Sequence, residues 1–340
     1  MNQLVQTSKK ITSNIYLNTV KKLFFLLVLL AVQIKAHSWG FFGHRKINYY
    51  SVFLLPPEMM VLYKSQIDFL TEHSTDPDKR RYAVSNEAPK HYLDIDHYGT
   101  YPYNDLPRKW TEAVAKYGQD SLNAHGIVPW WVQTMMNRLT EAFKEKNQAK
   151  ILKYSAEIGH YIADAHVPLH ASSNHDGQLS DQKGIHAFWE SRLPELLADK
   201  DWDFFIGKAD YIQRPGEFIW ARFLESAKAS DTVLHFEKTL SQRFPGDKKY
   251  GFENRNGVVI RQYSSEYSNE YNSMLNGMVE RRMRQAIYCV SSFWYTAWVN
   301  AGQPDLSKLS GKEFSAEELK EFEELNNQWK SGKIQGREHE

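Results

Sequence analysis

Cysteine is almost absent: the single Cys289 in 340 residues excludes an intrachain disulfide, and it lies too far into the chain to be a lipoprotein anchor. Long apolar runs are missing as well. The strongest, Leu23–Ile34, falls short of the roughly 20 residues that a membrane-spanning helix needs. Neither sign of charge dominates, since 42 Lys and Arg against 41 Asp and Glu leave a formal charge of +1. That balance argues against a strongly basic clamp built on many phosphate contacts. Alternating strand patterns are scarce, and no internal repeat or low-complexity linker interrupts the chain. Such a chain must rely on its core or on bound metal, and its length suffices for one large core.

What is present begins with a leader. Lys21 and Lys22 precede the apolar run, and Ala36-His37-Ser38 follows it with small residues where a signal peptidase reads. The pattern predicts a signal peptide over residues 1–38, cleavage after Ser38 and a secreted or periplasmic protein, with an uncleaved anchor as the alternative. Cleavage removes Lys9, Lys10, Lys21, Lys22 and Lys35 and no acidic residue, so the mature chain turns acidic. It also gives Trp39 a free α-amine. With a pKa of about 8, that amine is readily deprotonated by a metal and can close a five-membered chelate with its own carbonyl oxygen.

Helical periodicity dominates the rest. Trp131, Met135, Leu139, Ala142 and Phe143 recur at steps of three and four between Ile127 and Lys146. Tyr271, Met274, Met278, Met283, Ile287 and Val290 do the same from Glu266 to Ala301, ahead of a Gly302-Gln303-Pro304 stop. These Met and aromatic stripes read as core. The expectation is an all-α fold: a single compact multi-helix domain over 39–304, then a charged, peripheral C-terminal helix from Ser315 to Lys330 within 305–340. Residues after Ser331 read as frayed.

Histidines and carboxylates recur at ligand spacing. His160 and Asp164 stand four apart, so on a helix they share a face and can ligate one ion or adjacent ions. Pro168 ends that helix and swings His170 back toward the same face. His186 and Glu190 repeat the spacing on a second helix, and zinc takes imidazole and carboxylate readily. His166 falls between ligand positions and reads as structural or supporting. His44, five residues after Trp39, extends the set. In the segment from Ser74 to Asp96, Asp76 and His91 are the natural candidates, with Asp78 competing against Asp76.

This order of residues resembles the superfamily that unites bacterial zinc-dependent phospholipase C with single-strand-specific zinc nucleases of the S-one/P-one type. The resemblance covers Trp39 to about Arg192 and more loosely the helical C-terminal half. It implies three Zn²⁺ ions between helices. One would take Asp76, His91, His160 and Asp164; a second His170, His186 and Glu190; a third the Trp39 amine and carbonyl, His44 and Asp164. The family's disulfides are missing here. His44's short spacing from Trp39 and His186-x-x-Trp189-Glu190 resemble the nucleases. His91-Tyr92-Leu93-Asp94 also fits their motif, in which the aromatic stacks on a base and the Asp accepts from it, but the phospholipases carry a similar aromatic and Asp, so that motif does not discriminate. Tyr92 and Asp94 are thus implied substrate contacts. Glu190 instead of Asp and Gly184-Ile185 resemble the phospholipases, but Gly40, Phe41 and Phe42 stand where those carry an acid. Lys79 or Arg80, three and four residues after Asp76, would face the phosphoryl oxygens as an arginine does in the nucleases.

The implied function is hydrolysis of a phosphate ester by a zinc-activated water, with Asp76, Lys79 and Arg80 in catalytic roles. Single-stranded nucleic acid or nucleotides are the expected substrate, and phospholipid the alternative. A monomer without a protein partner is expected. A secreted, non-catalytic protein with structural zinc is the remaining alternative, although no cysteine contributes to the set.

Overall fold

A computed structural model describes residues 40–255, 257–309 and 314–331. The expected leader, its cleavage point and Trp39 lie outside these residues, as does the tail after Ser331. The fold is all-α. Helices run in the order α1 (Gly40–Val52), α2 (Pro57–Tyr63), α3 (Ile67–Glu72), a tight turn at His73–Thr75, α4 (Asp76–Arg80), α5 (Trp110–Tyr117) and α6 (Gln119–His125). They continue with α7 (Val128–Lys144), α8 (Gln148–Asp164), α9 (Ile185–Ala187), a wide helical turn at Phe188–Arg192, α10 (Leu193–Asp201), α11 (Pro215–Arg243), α12 (Ser265–Met274), α13 (Met278–Asn300) and α14 (Ala316–Ser331). No helix among the described residues is long and apolar enough to cross a membrane.

The central element is α8. Asn147 starts it by accepting the Lys150 N–H at 3.0 Å, a side-chain cap that satisfies an otherwise orphaned donor. Every residue from Ser155 to Asp164 is buried, so its last turns are wrapped on all sides, by α1, α3, α7 and α13. Polar side chains at that depth need partners or a purpose.

Two departures from the sequence pattern have local causes. The stretch expected as one helix from Glu266 to Ala301 breaks into α12 and α13 because Asn276 and Gly277 adopt φ of 49° and 68°. These two residue types tolerate the left-handed region, whereas the apolar period runs straight through the break. Strands β1 (Tyr250–Arg255) and β2 (Val258–Tyr263) form an antiparallel hairpin that weak alternation concealed. Its sequence signal was the Asn256-Gly257 pair, a favoured two-residue hairpin connection.

The C-terminal helix is less detached than its charge suggests. Although α14 buries no residue, it packs against α4. Phe322 lies 4.3 Å from the His73 ring, Phe314 stacks on Phe69 at 4.4 Å, and Trp329 meets Phe41 at 5.3 Å.

Close approach of α1 to α8 depends on Gly159. A Cβ there would lie 2.0 Å from Asn48 Oδ1, and Asn48 cannot easily yield because its Nδ2 donates to Leu70 O and Ala156 O at 3.0 and 3.1 Å. The same crossing lays the His44 ring on that of His160, with centroids 3.8 Å apart. Ala normally improves a helix interior by up to about 1 kcal/mol, but overpacking plus a displaced buried amide outweighs that gain. Gly159→Ala is therefore expected to destabilise the protein by about 1–3 kcal/mol in denaturant unfolding. An unchanged midpoint would contradict the crossing described here.

Candidate metal centre

Helix α8 carries His160 and Asp164 on one face, one turn apart, and the segments around it deliver the remaining side chains. His160 Nδ1 donates to Ser74 O at 2.8 Å, which ties α8 to the turn ahead of α4. Beyond Asp164, Pro168 shapes the turn Pro168–Ala171. There His170 Nδ1 donates to His91 O at 2.7 Å while Leu93 N donates to His170 O at 2.9 Å. The His91 segment is clamped from its other side too, by Ile127 N donating to Pro89 O and Val128 N to Tyr92 O. His186 and Glu190 come from α9 and the turn after it. His186 Nδ1 donates to His175 O at 3.1 Å, and Asp176 accepts the Gly184 and His186 amides.

Three groups of buried donor atoms result: Asp78, His91 and His160; His44, His160 and Asp164; His170, His186 and Glu190. In the first, His160 Nε2 and His91 Nδ1 are 3.0 Å apart, and Asp78 Oδ1 lies 3.7 Å from each. Asp164 joins both of the first two groups. Its Oδ2 lies 2.9 Å from His91 Nδ1 and 3.2 Å from His160 Nε2, while Oδ1 lies 3.5 Å from His44 Nε2. In the third, His170 Nε2 faces His186 Nε2 at 3.1 Å, with Glu190 Oε2 3.5 and 3.0 Å from them.

The donor chemistry fits cations. Because the Nδ1 atoms of His160, His170 and His186 carry protons donated to backbone carbonyls, their Nε2 atoms present lone pairs to one another and to carboxylate oxygens. Acceptors meeting at such distances need something positive between them. Tetrahedral zinc with bonds of about 2.0–2.1 Å separates its ligand atoms by about 3.3–3.4 Å, within the observed spread. Asp78 makes the same point: it is 5 % exposed, and neither carboxylate oxygen has a hydrogen-bond donor among the described residues.

Protonation follows that geometry. Burial, reinforced by Asp164 and Glu190 against His44 and Arg81, pushes Asp78 up to about 8. Burial lowers His91 to about 3 and His186 to about 4, leaving both imidazoles neutral donors. For Asp164 burial is outweighed by His160 and His170, which hold it well below the usual carboxylate range.

Side chains expected from the sequence are not all here. Asp76 stands outside the groups and Asp78 takes that place. Asp76 Oδ1 accepts from Lys79 Nζ at 2.8 Å and Oδ2 pairs with His73 Nδ1 at 2.5 Å, so both oxygens are spoken for. Burial would raise it, but His73 and Lys79 hold it below its ordinary value. Lys79 is thereby engaged, and Arg80 turns to Glu157 Oε1 at 2.6 Å and the Tyr161 hydroxyl at 3.2 Å. Neither cation faces the groups. Counting three residues from Asp78 gives Arg81, which the sequence reading missed; it is 6 % exposed, and Asp78 and Asp164 are the carboxylates that act on it. Tyr92 is only 4 % exposed, packed against Gly126, whose φ of 90° and contact with Tyr92 O leave no room for a Cβ. It offers no open face to a base. Asp94 is buried outside the three groups. Trp39 lies outside the described residues.

No protein-family model and no curated protein matches the chain. Among solved structures, the alpha-toxin of Clostridium perfringens from an avian strain is similar over 84 % of this chain and 67 % of that one, at 14 % identity and a TM-score of 0.41.

Proposed function

We propose that this chain is a metal-dependent phosphodiesterase, with divalent cations held by His44, Asp78, His91, His160, Asp164, His170, His186 and Glu190. The observation that carries the proposal is the convergence of imidazole nitrogens and buried carboxylates in three groups, most plainly at Asp78, neither of whose oxygens has a hydrogen-bond donor among the described residues. Zinc is the ion that this mixture of imidazole and carboxylate suits, and three ions is the number that the Trp39 amine and carbonyl would complete. Bound there, such ions lower the pKa of water toward neutrality and neutralise charge on a phosphoryl group. The chain's own contribution is to bury and orient the donors. Asp164 links two groups, backbone carbonyls fix which nitrogen of His160, His170 and His186 faces inward, and Arg81 offers a guanidinium to phosphoryl oxygens.

Phospholipid head groups are the substrate class proposed first. Base recognition rested on Tyr92, and a buried ring cannot stack on a nucleobase. Single-stranded nucleic acid is the second reading, favoured by the short spacing of His44 from Trp39. Export follows from the expected leader, and a monomer is proposed with it.

The exported protein, loaded with zinc, is to be assayed on phosphatidylcholine, single-stranded DNA, RNA and 3′-nucleotides, with and without chelator. Chelator-sensitive release of the phosphorylated head group is the expected result, and hydrolysis of nucleic acid alone reverses the order of the two substrates. Bound metal with no hydrolysis of any phosphodiester would replace the enzyme with a structural zinc protein.

A further inference from the structure

Three of the four histidines tied by hydrogen bonds into the groups face them with Nε2 and anchor Nδ1 on a backbone carbonyl, at Ser74, His91 and His175. His91 is reversed. Its Nδ1 faces the group, and its Nε2 is turned toward Glu87 Oε1 at 3.8 Å, a charge contact beyond hydrogen-bond reach. We propose that Glu87 is a positioning residue for His91, a carboxylate set behind the ring so that Nε2 keeps the proton and Nδ1 presents its lone pair to the cation. This inference rests on the metal-centre reading above.

Glu87 is not a stray surface acid. It is 1 % exposed and four residues ahead of His91. Lys90 Nζ binds its Oε2 at 2.6 Å, Arg80 Nε lies 3.5 Å from Oε1, and the Tyr161 hydroxyl donates to the same oxygen. Arg80 is in turn held by Glu157 at 2.6 Å, and Lys90 lies over the Trp131 ring at 4.4 Å. Two cations and a phenol therefore fix this carboxylate in place and in its ionised form. A carbonyl dipole supports the other three rings, whereas a full negative charge supports this one. That charge sits on the far side of the ligand whose group also contains Asp78. A ring backed by a carboxylate is a stronger donor than one backed by an amide, and loss of such a partner commonly costs about 10–100-fold in metal affinity.

The test compares Glu87→Gln with Glu157→Gln by competing a fluorescent zinc chelator against the purified full chain. The glutamine retains an acceptor for Tyr161 while it removes the charge and the oxygen that accepts from Lys90. Glu87→Gln is expected to weaken one zinc by about 10–100-fold while the others stay, and Glu157→Gln, in the same ion cluster but not facing a ligand, to change none. Ring ¹⁵N spectra of the zinc-loaded wild-type protein provide a measurement independent of variant folding, and they should show His91 as the sole group histidine carrying its proton on Nε2. Wild-type affinities in Glu87→Gln, equal losses in both variants, or a His91 proton on Nδ1 would each overturn the assignment. If the wild-type chain itself took up no zinc, the proposed function would fail and not this refinement alone.

Discussion

Asp164→Asn is expected to reduce phosphodiester hydrolysis by about a thousandfold or more, which corresponds to about 4 kcal/mol of barrier. The size of the effect follows from position. One carboxylate reaches His91 and His160 with one oxygen, at 2.9 and 3.2 Å, and His44 with the other at 3.5 Å, so an amide in its place weakens two groups together. Metal analysis should show fewer ions per chain, while circular dichroism retains the helical signal. Asp78→Asn should also lose metal. Asp76→Asn should retain the wild-type complement, because Asp76 is occupied by His73 and Lys79. Full metal content with activity within tenfold of wild type in Asp164→Asn would remove this residue from the centre.

Arg81→Ala is expected to lower kcat by about 10²–10³, the usual cost of deleting one preorganised group that meets developing charge. Lys79→Ala and Arg80→Ala should leave kcat within a few-fold, since those cations are committed to Asp76 and Glu157. The metal content of Arg81→Ala separates two explanations. A cation beside Asp78 and Asp164 repels bound metal ions, so its removal should leave occupancy intact while the rate falls. A parallel loss of metal would make Arg81 a support of the site and not a contact of the substrate.

Much of the centre was legible because its spacing is local. His160-x3-Asp164 and His186-x3-Glu190 need only a helical turn to come together, and Pro168 announces the bend that returns His170. Asp76 and Asp78 could not be told apart in that way. They stand two residues apart on one short helix and so point in different directions, and the choice between them is made by His73, against whose ring Phe322 of the distant C-terminal helix packs. Arg81 went unnoticed with them, since Lys79 and Arg80 were counted from Asp76 and not from Asp78. Glu87 was invisible for a related reason: the network that fixes it draws on Arg80 and on Tyr161 of α8, far along the chain. The fold divides similarly. Apolar periodicity marks α7 and α13, yet it is blind to the two left-handed residues that end α12.

The donorless carboxylate of Asp78 also bears on how the polypeptide reaches its native state. A buried acid pushed up to about 8 binds its proton more tightly when folded than when unfolded, so the contribution of Asp78 to metal-free stability is present in acid and drains away as pH climbs from the ordinary carboxylate range toward 8, against the opposite trend of His91 and His186, which burial holds at about 3 and 4. Cations remove that burden by replacing the missing proton. A bound divalent cation would then support the fold as well as the chemistry, and chelated protein at alkaline pH is expected to be cut faster by a protease than the metal-loaded form.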